Sequence, residues 1–202
     1  MSAVSETIVR EYFEQHGFLV RQDRKYVARG KQEVDGIDFF VWNPQPGKPG
    51  PPAPFVLNSA DLASVNRAIV VVRGWHTESF GPALLESSPE MFRFVEPAVF
   101  QQAARAFSPD LAPLKILIVP SLPRTTESRE QSIAILRAKG VDAVIPFRTL
   151  LVDLIARTEV NRNYEKSDLL QVIRVLKNYD LFKDPQLELF RRSRRRPRPP
   201  RA

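Results

Sequence analysis

The chain has no cysteine, only two histidines and only eight glycines among 202 residues. Without thiols there is no disulfide, no thiolate zinc site and no cysteine nucleophile, a composition compatible with a reducing compartment. His16 and His76 cannot form an HExxH pair. They also offer no triad partner to Ser121 in Val119-Pro-Ser-Leu-Pro, and no Gly-x-Ser-x-Gly elbow is present. The sparse glycines build no phosphate loop after a first strand, which removes Rossmann and P-loop nucleotide binding. No run of 18 apolar residues occurs, and Met1 opens no charged-then-apolar leader. A soluble, cytoplasmic protein without membrane contact is the expectation.

Arginine and proline are what the chain has in quantity. The formal net charge is +7, but seven arginines and no acid fall within residues 191–202, among them Arg191, Arg192, Arg194, Arg195 and Arg196. The preceding 190 residues hold 23 basic and 23 acidic side chains and are electrically neutral. The segment is punctuated by three prolines and its one apolar residue is Ala202, so it is expected to be disordered. It reads either as a solubilising extension or as a site of phosphate attraction for DNA or RNA.

Hydrophobic spacing outlines an α/β order. Ile8, Val9, Tyr12 and Phe13 lie on one helical stripe over residues 5–16, with Gly17 as a stop. A short strand at 18–20 and a polar turn to Lys31 lead to a strand at Ile37–Trp42. Residues 44–54 contain six prolines and must loop. A helical turn fits 58–66, and Ala68–Val72 is a β-branched run of the kind covered on both faces. Helical spacing over 89–107 is interrupted at Pro97. Then come a strand at 115–120, a helix at 128–139 with a Ser128/Gln131 capping box and Gly140 as stop, and a parallel strand at 141–147. Amphipathic helices follow at 148–157 and 167–179. No internal repeat is present. The sheet is therefore expected to be mixed, its first strands a meander and its last two parallel.

The arrangement carries one constellation. Glu33-Val-Asp-Gly-Ile-Asp38 leads a strand, and Arg73-Gly-Trp75-His76 follows a buried one. Across residues 5–150 this order resembles the PD-(D/E)XK superfamily of restriction-endonuclease-like proteins. The resemblance implies a restriction-endonuclease-like mixed sheet flanked by helices, with Asp38 as the first motif acid. Val71 stands where the second acid belongs, and Arg73 replaces the motif lysine. Gly74-Trp75 matches a dipeptide frequent after that cation, and Glu6 a supporting acid on the first helix. Mg²⁺ or Mn²⁺ would be the implied cofactor, held by Asp38 with Asp35 or Glu33 if the protein were active. Glu78 is another acid that could fold back.

The departures bear on chemistry. Phosphodiester hydrolysis needs metal-bound hydroxide, and Mg²⁺ is usually held by carboxylates. Arg73 cannot exchange a proton, although its planar fork can clamp a phosphate. The residues thus favour a nuclease-like domain with a degraded site, acting as a non-catalytic, nucleic-acid-associated or scaffolding module. Arg73, Trp75, His76 and the tail arginines would bind. An active metal-dependent endonuclease using Asp38 and a relocated acid is the alternative. A third reading is a protein-interaction or regulatory domain, favoured by the neutral body. Plain structural roles compete at each position: an Asp38–Arg73 pair across strands, core or interface duty for Trp42 and Trp75, a structural His76, and exposed Gln101 and Gln102 on a helix.

The expected division is a core at 1–158, a helical extension at 159–184 and a basic tail at 185–202. The apolar stripe Leu169, Leu170, Val172, Ile173, Val175, Leu176, Tyr179 is wider than a surface helix needs. With the helix before it, it could make a hairpin. Its turn is too long for a helix-turn-helix reader, so docking on the sheet, on a protein partner or on a second copy is expected.

Overall fold

The computed structural model describes residues 3–22, 36–47, 53–74, 76–107 and 112–182. Glu33, Asp35, Trp75, part of the Pro-rich insertion and everything from residue 183 onward, including the tail arginines, lie outside the described residues.

Five strands form one sheet in the order β1 (Leu19–Gln22), β2 (Phe39–Trp42), β3 (Arg67–Val72), β4 (Leu114–Val119), β5 (Ala143–Pro146). The first two pairings are antiparallel and the last two parallel, so β2 alone runs against the others. The expected meander followed by a parallel pair is what the chain forms. Its β3 is buried from Ala68 to Val72, as a β-branched strand between two helical layers should be.

Helices cover both faces. Val71, Ile69, Phe40, Leu117 and Val144 share a core with Leu85 of α2 (Pro82–Ser87), Ala103 of α3 (Pro97–Ala104) and Leu136 of α4 (Thr126–Ala138). The alternate side chains Phe39, Val41, Val70, Ile116 and Ile118 are equally buried. They belong to the opposite face, where α1 (Ala3–Gln15) packs on α5 (Phe147–Arg157). Alternation along each strand therefore feeds two cores from one sheet.

α1 and α4 end in the same way. The Phe18 N–H reaches the Phe13 carbonyl at 3.0 Å and the Gly17 N–H reaches Glu14 at 2.9 Å. Val141 and Gly140 repeat this onto Leu136 and Arg137. Both glycines sit at positive φ, +80° and +90°, where a side chain would be strained. In α1 the motif is closed by Phe13 and Phe18, whose rings meet edge-on at 5.4 Å.

Three expectations need correction. α4 starts at Thr126, so Ser128 lies inside its first turn and forms no capping box; its carbonyl accepts the Ser132 hydroxyl instead. β2 starts at Phe39, leaving Asp38 just outside, although the Asp38 N–H still reaches the Val70 carbonyl at 3.1 Å. Of the core or interface duty expected of Trp42, the core half falls away: it is 45% exposed, opposite an exposed Leu19. The break at Pro97 does occur, between a 3₁₀ segment (Pro89–Val95) and α3. Residues 58–66 fold as a 3₁₀ turn (Ser59–Ser64) with a reciprocal Asn58/Asp61 capping box. Phe55–Leu57 runs along the outer edge of β5, exchanging backbone hydrogen bonds with Val144 on both sides.

The chain divides into two compact units after Arg157, so α5 belongs to the first and α6 (Asp168–Asn178) to the second. In the second unit Ser167 caps α6 by accepting the Leu170 N–H. Lys177 and Arg174 donate back to the carbonyls of Thr158 and Val160. α6 buries Leu170 and Ile173 and leaves Val172, Val175 and Tyr179 exposed.

Candidate functional site

Strand direction brings the motif residues together. The C-terminal ends of β1 and β3 and the N-terminal end of β2 share one edge of the sheet, which places Gln22, Arg73 and Asp38 there. Crevices at the carboxyl ends of strands are where open α/β sheets bind ligands.

Asp38 immediately precedes β2, with its N–H on the Val70 carbonyl. Its Oδ2 accepts the N–H of Val72 at 2.7 Å, closing the β2–β3 ladder where its backbone pairing stops. Arg73 Nη1 stands 3.9 Å from the same oxygen. Burial pushes the Asp38 carboxyl up to about 6, against the lowering pull of the Val72 hydrogen bond and of Arg73; the charge of Glu6 adds to the rise. A buried carboxyl with a raised pKa beside a guanidinium at the carboxyl end of β3 is a functional-site candidate on physical grounds.

Arg73 turns inward. Nη1 donates to the Val72 carbonyl at 3.1 Å and Nη2 to the Met91 carbonyl at 3.5 Å, with only 18% of the side chain exposed. Burial lowers its pKa from the ordinary arginine range, while Asp38 and Glu90 oppose that shift. A guanidinium bonded to interior carbonyls has little of its fork left for a phosphate. Val71, two residues earlier, is fully buried among Phe40, Ile69 and Leu117. The position of the second motif acid is thus part of the apolar core.

The remaining motif residues are divided. Glu6 accepts the side-chain amide of Gln22, which shares the face of Phe39 and so holds Glu6 on the α1 side of the sheet. His76 Nε2 meets Ser5 Oγ at 3.1 Å, and its ring stands edge-on to Phe147 at 4.5 Å. Gly74 makes room for that contact, because a Cβ there would lie 3.0 Å from Ser5 Oγ. Glu78 is exposed on the following loop, Gln101 and Gln102 lie on α3, and Ser121 is exposed after β4. Among the described residues no three histidine, aspartate or glutamate side chains are grouped to hold a metal ion.

At the opposite edge stands a cluster that sequence reasoning missed. Asp153 of α5 receives His16 Nε2 at 2.9 Å and Arg157 Nε at 3.0 Å, and Ser59 also bonds to it. Tyr12 Oη shares a hydrogen bond with Ser59 at 3.1 Å. Burial raises the Tyr12 phenol to about 12. Burial likewise lowers His16, although its bond to Asp153 pulls the other way. For Asp153, burial works upward, but the hydrogen bonds from His16, Ser59 and Arg157 win and hold it below the usual carboxylate range. Serine, histidine and aspartate are all present, yet the acid lies between the other two. His16 therefore does not activate Ser59 as a triad base would. The i,i+4 spacings Tyr12/His16 and Asp153/Arg157 were the only local signal.

No family model, curated protein or solved structure matches the chain. Among the described residues no helix is long and apolar enough to cross a membrane.

Proposed function

We propose that the first unit is a restriction-endonuclease-like domain whose phosphodiesterase site has become a structural clasp, and that the protein acts as a non-catalytic, nucleic-acid-associated module. The observation that carries this is the bonding of Asp38 and Arg73: one closes the ladder at Val72, the other fastens to the carbonyls of Val72 and Met91. Two features support the family reading. β1–β3 form a meander followed by a parallel pair, and Asp38 and Arg73 converge at the sheet edge. Attraction for nucleic acid then rests on Arg191, Arg192 and Arg194–196 and their neighbours rather than on the neutral body.

The test combines cleavage and binding. Purified protein is incubated with plasmid, single-stranded DNA and RNA in Mg²⁺ or Mn²⁺, and binding is measured before and after deletion of residues 191–202. The expected result is no cutting, with salt-sensitive binding that collapses on deletion. Binding unchanged by the deletion would sink the tail assignment.

A second reading, an active metal-dependent nuclease, rests on the nearness of Asp38 to Arg73 at the sheet edge, 3.9 Å apart, with a relocated acid completing a site for Mg²⁺ or Mn²⁺. Cutting that disappears in Asp38→Asn would establish this reading and overturn the first.

A further inference from the structure

The edge opposite Asp38 carries a cleft that the clasp reading leaves unused. It has a volume of about 540 Å³, within the range of small-molecule sites. Its walls are the end of α1 at His16, the Asn43–Gln45 turn after β2, the 3₁₀ turn from Ser59, and Arg157 at the end of α5. Gly47 seals the turn to the 3₁₀ segment by donating its N–H to the Ala63 carbonyl at 2.9 Å.

The ionisable groups in the lining are Arg157 and His16, with no acid among them. Asp153 stands behind and orients both. By taking Arg157 Nε, it leaves the two terminal guanidinium nitrogens without a partner among the described residues. By taking His16 Nε2–H, it leaves Nδ1 of the neutral ring as an acceptor. Gln45 adds an exposed side-chain amide that bonds to none of the described residues. The cleft thus offers a half-exposed guanidinium edge, held by its carboxylate rather than free to swing. Beside it are an amide and a fixed imidazole acceptor.

We infer that this cleft binds a small organic anion through Arg157, with Gln45 and His16 contacting its polar groups. The anionic group is an oxyanion, phosphate or carboxylate, since both match the planar fork of arginine. A hydroxyl on the same molecule would be the natural donor to His16 Nδ1. This inference is independent of whether the Asp38 edge cuts, clasps or binds.

The test is a nuclear magnetic resonance titration of the full chain with inorganic phosphate and, separately, with citrate. Ionic strength is held constant with chloride, so that general attraction to the arginine-rich tail is matched. Saturable shifts of the Ser59–Ala63 amides and the His16 ring are expected, with the Val72 amide beside Asp38 unmoved. Arg157→Met should weaken the apparent affinity at least tenfold. Arg148→Met, at the other end of α5, should leave it unchanged. Arg157→Lys keeps the charge without the fork and should weaken it several-fold, which covers a failure of the methionine variant to fold. Saturation by phosphate but not citrate assigns a phosphorylated ligand, and the reverse a carboxylate. Linear, unsaturable shifts with both anions, or saturable shifts that survive in the Arg157 variants, would overturn the inference.

Discussion

The carboxylate of Asp38 accepts the backbone N–H of Val72 at 2.7 Å and thereby continues, with a side chain, a strand ladder that the backbone no longer provides. The same group is strained as an anion, since burial lifts its pKa from 3.8 to about 6.

The sign of the resulting pH dependence follows directly. A carboxyl raised in the folded state favours folding fully below its unfolded value, and that contribution is lost as pH rises through about 6. Asp38→Asn keeps an acceptor for Val72 without the charge. It should be more stable than the native protein at pH 8, by up to about 3 kcal/mol for a shift of about two units, and indistinguishable near pH 4. Urea denaturation at the two pH values reads this. Equal stability at pH 8 would show that Arg73 fully compensates the buried charge.

Val71→Asp restores the missing motif acid on paper. In the structure Val71 is fully buried in an apolar cluster, so the variant should lose roughly 4 kcal/mol or more of stability, or fail to fold. Thermal melts measure the loss. A stable Val71→Asp protein that cuts DNA with Mn²⁺ would show that the core tolerates a metal site here after all.

Asp153 anchors three donors from three segments, so Asp153→Ala leaves His16, Arg157 and Ser59 without their acceptor. A loss of about 2 to 4 kcal/mol is expected in denaturant unfolding. In the native protein the lowered pKa of His16 means that stability falls as pH drops below the ordinary histidine value of 6.5. This slope opposes that of Asp38 and should stand out in Asp38→Asn.

If the seven tail arginines hold nucleic acid, the logarithm of affinity should fall with the logarithm of salt at a slope no steeper than about −6. Deleting residues 191–202 should bring the slope close to zero. A steep slope that persists would locate phosphate contacts on the folded units.

Local features of the fold were legible where one physical signal dominated. Alternation was not needed to find β3, because the unbroken run Ala68–Val72 already implied cover on both faces. The stops at Gly17 and Gly140 were legible because few other residues tolerate their backbone angles. α2 was missed because six residues beginning at a proline have too little periodicity to read. Ser128 misled because a hydroxyl inside a first turn resembles one at a cap. At the candidate site, the convergence of Asp38 and Arg73 followed from strand direction. That Arg73 points to Met91 did not, because no spacing encodes which carbonyls a long side chain meets. The His16–Asp153 pair spans 137 positions and was beyond any local pattern.

The Phe55–Leu57 segment that hydrogen-bonds to β5 on its outer side has a consequence for self-association. It occupies the edge where another strand would add, leaving β1 as the outer strand of the sheet among the described residues. On the β5 side an incoming strand would find only the short Phe55–Leu57 segment, whose Leu57 N–H and Phe55 carbonyl are already committed to Val144, so among the described residues β1 offers the longer free backbone edge for a second copy to pair with.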